Sequence, residues 1–216
     1  MRSSRSSAAA LAAAIALAAA APASAHRKDE YLQAARIAID PGRVRVELDL
    51  TPGIAVADGV IAAIDSDHSG AISAGEAQAY ASVVRQSVRI DVDETPLVVA
   101  LASSELPDVA AMRRGEGAIR LTLTSALPPL GPGRHHLRYR NTHRGDIGVY
   151  LANALVPDNP RVDITSQQRD AAQRELIVVY DLHPSRPGSG VASFAASVGV
   201  AVLVLAALAW RRRRTS

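Results

Sequence analysis

Oxygen-bearing groups recur at positions 1, 3, 5, 7, 9 and 12 of one short stretch of this chain, Asp65-Ser-Asp67-His-Ser69-Gly70-Ala71-Ile72-Ser73-Ala-Gly-Glu76. Asp65, Asp67 and Ser69 offer side-chain oxygens at alternate positions. Ala71 offers a backbone carbonyl, Ser73 a hydroxyl able to hold a bridging water, and Glu76 a carboxylate able to bind through both oxygens. This spacing suits Ca²⁺, a hard cation that takes six to eight oxygen ligands. Gly70 stands sixth, where the chain must turn sharply and a positive φ is cheap only for glycine. Ile72 stands eighth, an apolar peg that ties the loop to the protein. Three carboxylates and no second loop predict modest affinity, on the order of 10⁻⁴ to 10⁻³ M as in extracellular modules. With the ion at about ten times its dissociation constant, binding adds about 1.4 kcal/mol to stability. That orders a local segment and is too little for a cytosolic-style trigger, so the expected role is structural, with presentation of a nearby surface to a protein partner.

Two helices must hold such a loop, and both are legible. In residues 54–64, Ala57, Val60, Ile61 and Ile64 recur at helical spacing. In residues 74–88, Ala77, Tyr80, Ala81 and Val84 fall on one side. Elsewhere the period is two. Residues 36–40 and 44–50 flank Pro41-Gly42 as a hairpin, and Val44, Val46, Leu48 and Leu50 alternate with charged residues. Further strands are expected at 88–92, 97–101 after a turn at 93–96, 119–123, 135–139, 147–151, 161–164 and 176–180. Residues 151–156 read as core strand leading into a turn at Pro157. The predicted fold is mainly β, an antiparallel sandwich-like domain with an inserted helix-loop-helix at 54–88 and no other helix.

The two ends predict where it works. Arg2 and Arg5, the apolar run 8–21 and Ala23-Ser24-Ala25 form a signal-peptide pattern, cleaved to leave His26 first. Residues 191–210 carry no charge over 20 residues, enough at about 1.5 Å each to cross a hydrocarbon core of about 30 Å as one transmembrane helix. Trp210 and Arg211 to Arg214 follow, and positive residues stay in the cytoplasm. The expected organisation is a leader (1–25), a domain facing the periplasm (26–183), a flexible stalk (184–190), one span of the inner membrane and a basic cytoplasmic tail (211–216). The ends also account for the pI of 9.7. Six of the 24 Lys and Arg residues lie in them, leaving 18 against 21 acids between, a formal charge of −3. The electrostatic argument for nucleic acid is thereby lost. With no cysteine, disulfides and thiolate metal sites are excluded and the domain must rely on its core.

The segment 65–76 closely resembles the loop of the EF-hand family, with Ser69 its one common variation at the liganding positions. The whole chain is similar to a group of bacterial exported, single-span proteins that carry one EF-hand in a β-rich domain. Its opening His26-Arg-Lys-Asp29-Glu30-Tyr31-Leu32-Gln33 and Leu50-Thr-Pro-Gly53 carry that likeness. Similar openings precede the membrane part of some nickel or cobalt permease-like proteins, but one span does not make a permease. The resemblance implies calcium binding and supplies no known activity to carry over.

Two other chemistries have candidate residues. A mature N-terminal His26 would offer an amine and an imidazole to Cu²⁺ or Ni²⁺, with His135, His136 and His143 as further ligands. His135 and His136 are adjacent on a strand and point to opposite faces, so they do not share an ion. A hydrolase would need His143 and Asp146 to act together, and no G-x-S-x-G elbow is present.

Overall fold

The computed structural model describes residues 29–185. The predicted leader, His26, residues 186–190 of the stalk, the apolar stretch 191–210 and the basic tail lie outside them. Among the described residues no helix is long and apolar enough to cross a membrane.

Strand β1 (Tyr31–Asp40) turns at Pro41-Gly42 into β2 (Arg43–Pro52). Helices α1 (Ile54–Ile64) and α2 (Ala74–Gln86) follow, then β3 (Val88–Val92), β4 (Thr95–Pro96), β5 (Ala100–Glu105) and a short helix α3 (Val109–Arg113). The chain ends in β6 (Ile119–Ala126), β7 (Gly133–Asn141), β8 (Gly148–Ala154), β9 (Val162–Arg169) and β10 (Glu175–Leu182). They form two five-stranded sheets, ordered β5-β6-β2-β1-β8 and β4-β3-β7-β10-β9. Burial alternates along nearly every long strand, as a two-residue period requires. Ile37, Ile39, Val46, Leu48 and Leu50 of one sheet share a core with Leu137, Tyr139, Leu176, Val178 and Tyr180 of the other.

The predicted β-rich class holds, with five corrections. The chain pairs antiparallel throughout except for β1 with β8, which run parallel. Strand β7 ends beside the start of β1, so the short crossing to the other sheet delivers β8 in the same direction as β1. The strand expected at 97–101 lies later, at Ala100–Glu105, because Thr95–Pro96 pairs back onto β3 after a tight turn. That turn is Asp93-Glu94, both at positive φ. Helix α2 stops at Gln86, and Val88 already belongs to β3. Helix α3 is an additional helix, and residues 151–156 are not core throughout: Leu151 and Val156 point outward at 42% and 90% exposure.

Register fixes the poles of the sandwich. Tyr31 pairs with Pro52 and Gly148, and Asn141 with Val88. The helix-loop-helix therefore bridges the sheets at the pole where β2 ends and β3 begins. Leu182 pairs with Gly133 at the start of β7, so the chain leaves by the opposite pole. At the β8–β9 edge the sheets are joined by side chains: the Gln167 amide accepts from Ala154 N at 3.0 Å and donates to Ala154 O at 3.3 Å, and Arg169 donates to Ala152 O at 2.7 Å.

Candidate metal centre

Helix α1 buries Ala57, Val60, Ile61 and Ile64, the face expected from their spacing. Its last amide bond, Asp65 N to Ile61 O at 2.8 Å, places the Asp65 carboxylate at the head of the loop. From there Asp65 Oδ1 accepts from Ser69 N at 3.0 Å and Oδ2 from Gly70 N at 2.9 Å, while Asp67 Oδ1 accepts from Ser69 N at 3.0 Å. His68 and Gly70 both take positive φ, 59° and 83°. An added Cβ at Gly70 would meet nothing within 4 Å. Glycine is thus required there by backbone conformation, not by space.

The other half of the loop is the start of α2. Ser73 caps the helix: its hydroxyl accepts from Glu76 N at 3.3 Å, and Glu76 Oε2 accepts from Ser73 N at 2.9 Å and its hydroxyl at 2.8 Å. Glu76 Oε1 reaches back across the loop to accept from Ser66 N at 2.7 Å, Ser66 Oγ at 3.0 Å and Asp67 N at 3.3 Å. One carboxylate stitches both ends of the loop. The bonds from Ser73, with lesser ones from Asp67 and Ser66, hold the Glu76 carboxyl down to about 2. Hydrogen bonding from Ser69 lowers that of Asp67. Both are anionic at neutral pH.

Asp65, Asp67 and Glu76 present oxygens that lie within 4.8 Å of one another. Ligands held about 2.3–2.6 Å from one Ca²⁺ lie at most about 5 Å apart, so these three fit one ion, and an all-oxygen donor set suits a hard cation. Asp65 and Glu76 are buried. The remaining predicted ligands sit on the same loop with other commitments. Ser69 Oγ donates to Ala71 O at 3.0 Å, and the Ser73 hydroxyl serves the cap. Ile72 is packed against the core as the peg expected. Beside it, a depression of about 540 Å³ is shared by Ile72, Ala77, Leu106 and Val109.

Residues 106–116, around α3, flank the motif on one side. Met112 is fully buried, Arg113 Nε donates to Asp58 Oδ1 of α1 at 2.8 Å, and the chain at Gly115 passes so close to α1 that a Cβ would lie 3.1 Å from Ile54 Cγ1. A five-residue helix of this kind lacks the length for a periodic signal, and it was missed from sequence.

On the other side lies a buried polar cluster, also missed. Tyr80 OH of α2 is 2.8 Å from Tyr31 OH of β1 and 3.0 Å from His143 Nε2. His143 O accepts from Gln33 Nε2 and Tyr150 OH, both at 2.7 Å. Asn141 joins by donating to Gln33 Oε1 at 2.8 Å and accepting from His143 N at 2.9 Å. A signal existed: Gln33 falls in phase with inward Tyr31, Ala35 and Ile37, and Asn141 with Leu137 and Tyr139. Buried amides in phase with a core need partners.

The histidines do not converge. His143 is 4% exposed within that cluster. Burial first, and then the charge of Arg144, lower its proton affinity to about 4. Asp146 pairs with Arg144 through two bonds of 3.0 Å, so His143 and Asp146 are not brought together. His135 Nδ1 lies 2.7 Å from Asp93 Oδ2 and Nε2 lies 2.8 Å from Gly131 O. Both partners are acceptors, so these contacts favour the doubly protonated imidazolium form of the ring. Burial opposes that charge, but the Asp93 and Gly131 bonds outweigh it and raise the pKa. His136 faces outward with Asp91 and Arg138 along a groove of about 680 Å³. Among the described residues, the His, Cys, Asp and Glu side chains grouped closely enough to share an ion are Asp65, Asp67 and Glu76.

No protein-family model, no curated protein and no solved structure matches this chain.

Proposed function

We propose that this chain is a membrane-anchored calcium-binding protein of the periplasm, in which a single EF-hand binds Ca²⁺ and orders one pole of a β-sandwich. The observation that carries the reading is the convergence of the Asp65, Asp67 and Glu76 oxygens to within 4.8 Å on a loop between two helices. Ser69 and the Ala71 carbonyl supply the neutral ligands, and Ser73 holds a water. A bound divalent cation would offset two of the three negative charges drawn together by the fold. The protein's own residues bury Asp65 and Glu76 while Asp67 stays exposed, and Gly70 and the Ser73 cap keep the loop folded.

The direction of the chain adds to the reading. The helix-loop-helix caps one pole and residue 185 leaves by the other. With the apolar stretch 191–210 as a single span of the inner membrane and 211–216 in the cytoplasm, the calcium site stands at the membrane-distal end of the domain. That is where an ordered surface meets a protein partner. No catalytic role is assigned.

The test is calorimetric titration of the full chain with Ca²⁺ after chelation. One site per chain is expected, with Kd on the order of 10⁻⁴ to 10⁻³ M and a raised melting temperature. Glu76→Gln keeps the neutral half of the capping box but loses the bidentate anion. It should abolish binding and leave the far-UV spectrum of the sandwich intact. Unchanged affinity in that variant would sink the assignment.

A further inference from the structure

Glu76 and Tyr80 are four residues apart on α2, and both are buried. One face of one helix thus carries a carboxylate of the loop cluster and, a turn later, the hydroxyl that enters the buried polar cluster. Asp65 and Asp67 belong to the other half of the site, which is tied to α1 by the Asp65 amide. The spacing of the three carboxylates therefore depends on how α2 sits against α1.

Most of what holds α2 is non-directional. Ala81 and Val84 pack into the core, and apolar contact tolerates sliding and rotation. At the first turn of α2 Glu76 Oε1 accepts from Ser66 N and Asp67 N across the loop, and further along two side chains fix the helix with directional bonds. Arg85 donates to Val99 O at 3.1 Å near its C-terminal end. Tyr80 OH, nearer to Glu76, is held between Tyr31 of one sheet at 2.8 Å and His143, which follows the last strand residue Asn141 of the other, at 3.0 Å. T-shaped contacts of the Tyr31 and Tyr80 rings with the His143 ring, at 6.0 and 5.5 Å, surround the hydroxyl.

We propose that Tyr80 is a positioning residue for the calcium site: its hydroxyl, held between Tyr31 and His143, sets the depth and rotation of α2 and thereby the place of Glu76 against Asp65 and Asp67. This rests on the calcium reading above. Coordination distances span only about 0.3 Å, so a displacement of α2 that apolar packing would absorb is felt at the ion. The coupling is reciprocal. Calcium held by Glu76 must strengthen the Tyr80 anchor by the factor by which the anchor strengthens calcium binding.

Tyr150 provides the matched control. Its hydroxyl makes the same kind of buried bond, to His143 O at 2.7 Å, but it lies on β8 and does not hold α2. Tyr80→Phe removes two buried hydrogen bonds and Tyr150→Phe one, so both should lower the melting temperature of the calcium-free full chain, Tyr80→Phe by the larger amount. Titration calorimetry with Ca²⁺ separates them. We expect Kd to rise about fivefold in Tyr80→Phe, the equivalent of one buried hydrogen bond, and to stay within about twofold of the wild type in Tyr150→Phe. Saturating Ca²⁺ should also raise the melting temperature of Tyr80→Phe by less than that of Tyr150→Phe. Equal Kd in all three proteins, or equal weakening in both variants, would overturn the positioning role and leave the calcium site standing. A wild-type chain that binds no Ca²⁺ would overturn the site and this inference together.

Discussion

Mild acid should destabilise this fold through one side chain, His143. Tyr31 OH, Tyr80 OH and His143 Nε2 form a chain of contacts of 2.8 and 3.0 Å. The two hydroxyls are satisfied as donors in one order only: Tyr31 donates to Tyr80, and Tyr80 donates to Nε2. The ring must then be neutral. A second proton removes the acceptor and places a charge in a buried site beside Arg144. Burial, followed by the Arg144 charge, holds the folded value at about 4, against about 6.5 in an unfolded chain. The unfolded chain therefore binds more protons between these limits. Stability from this group is full above about pH 6.5 and is lost as pH falls toward about 4. At about 1.4 kcal/mol per unit, the whole window is worth about 3 kcal/mol, of which about 2 kcal/mol falls between pH 6.5 and 5. Glu76, Asp67, Asp93 and Asp146 have lowered values, so their contributions are lost only below the ordinary carboxylate range of about 4. His135 runs the other way: its raised value gives stability that is complete below about pH 6.5 and lost as pH rises through the folded value. The slope between pH 5 and 6.5 thus belongs to His143. The assay is urea denaturation of the full chain with chelator present, at half-unit steps across this range, for wild type and His143→Gln. The wild type should lose about 2 kcal/mol and the variant, starting lower, should show no such slope. Parallel pH profiles for the two proteins would refute the reasoning.

Three further outcomes follow from local geometry. Gly70→Ala forces a side chain into φ +83° with open space around it, so the whole cost is conformational, about 1–2 kcal/mol, and should appear as weaker calcium binding in calorimetry; unaltered binding would contradict the turn argument. Gln167→Ala removes both side-chain bonds to Ala154 and should cost about 1 kcal/mol while speeding hydrogen exchange at the Ala154 amide. Exchange at the wild-type rate would show that the β8–β9 edge is closed by something else. Asp93→Asn withdraws the carboxylate from His135 Nδ1, so the His135 pKa, followed by NMR, should fall; a value equal to wild type would deny the imidazolium assignment.

The loop was legible because its information is local. Asp65, Asp67, Gly70 and Glu76 carry a spacing set by neighbours along the chain, and the two helices declare their buried faces by period alone. Ala57, Val60, Ile61 and Ile64 are buried as their spacing requires, while on α2 Glu76 took an inward place and Ala77 is only half-buried. Strand phase was equally readable where apolar residues were large, as in β2. It faded in the first half of β1, where Gln33, Ala34 and Ala35 carry little hydrophobic contrast although the strand begins at Tyr31. The β4–β5 region was misplaced because Asp93-Glu94 turns tightly without a glycine, holding two positive-φ residues through bonds from a strand 43 residues away in sequence, such as His136 N donating to Asp93 Oδ1.

By itself the sequence determined that an oxygen-rich loop would stand between two amphipathic helices in a β-rich domain, because a two-residue or 3.6-residue period and a loop spacing are properties of neighbours along the chain. Only the tertiary structure decided that β8 runs parallel to β1, that α3 and its flanks brace α1, and that His143 is a neutral core residue linking both sheets to α2. Those outcomes depend on which distant segments meet: Gln33 and His143 are 110 residues apart, and Tyr80 and His143 are 63. Hydrogen bonds across such separations follow from how the sheets pack, and no local pattern records them.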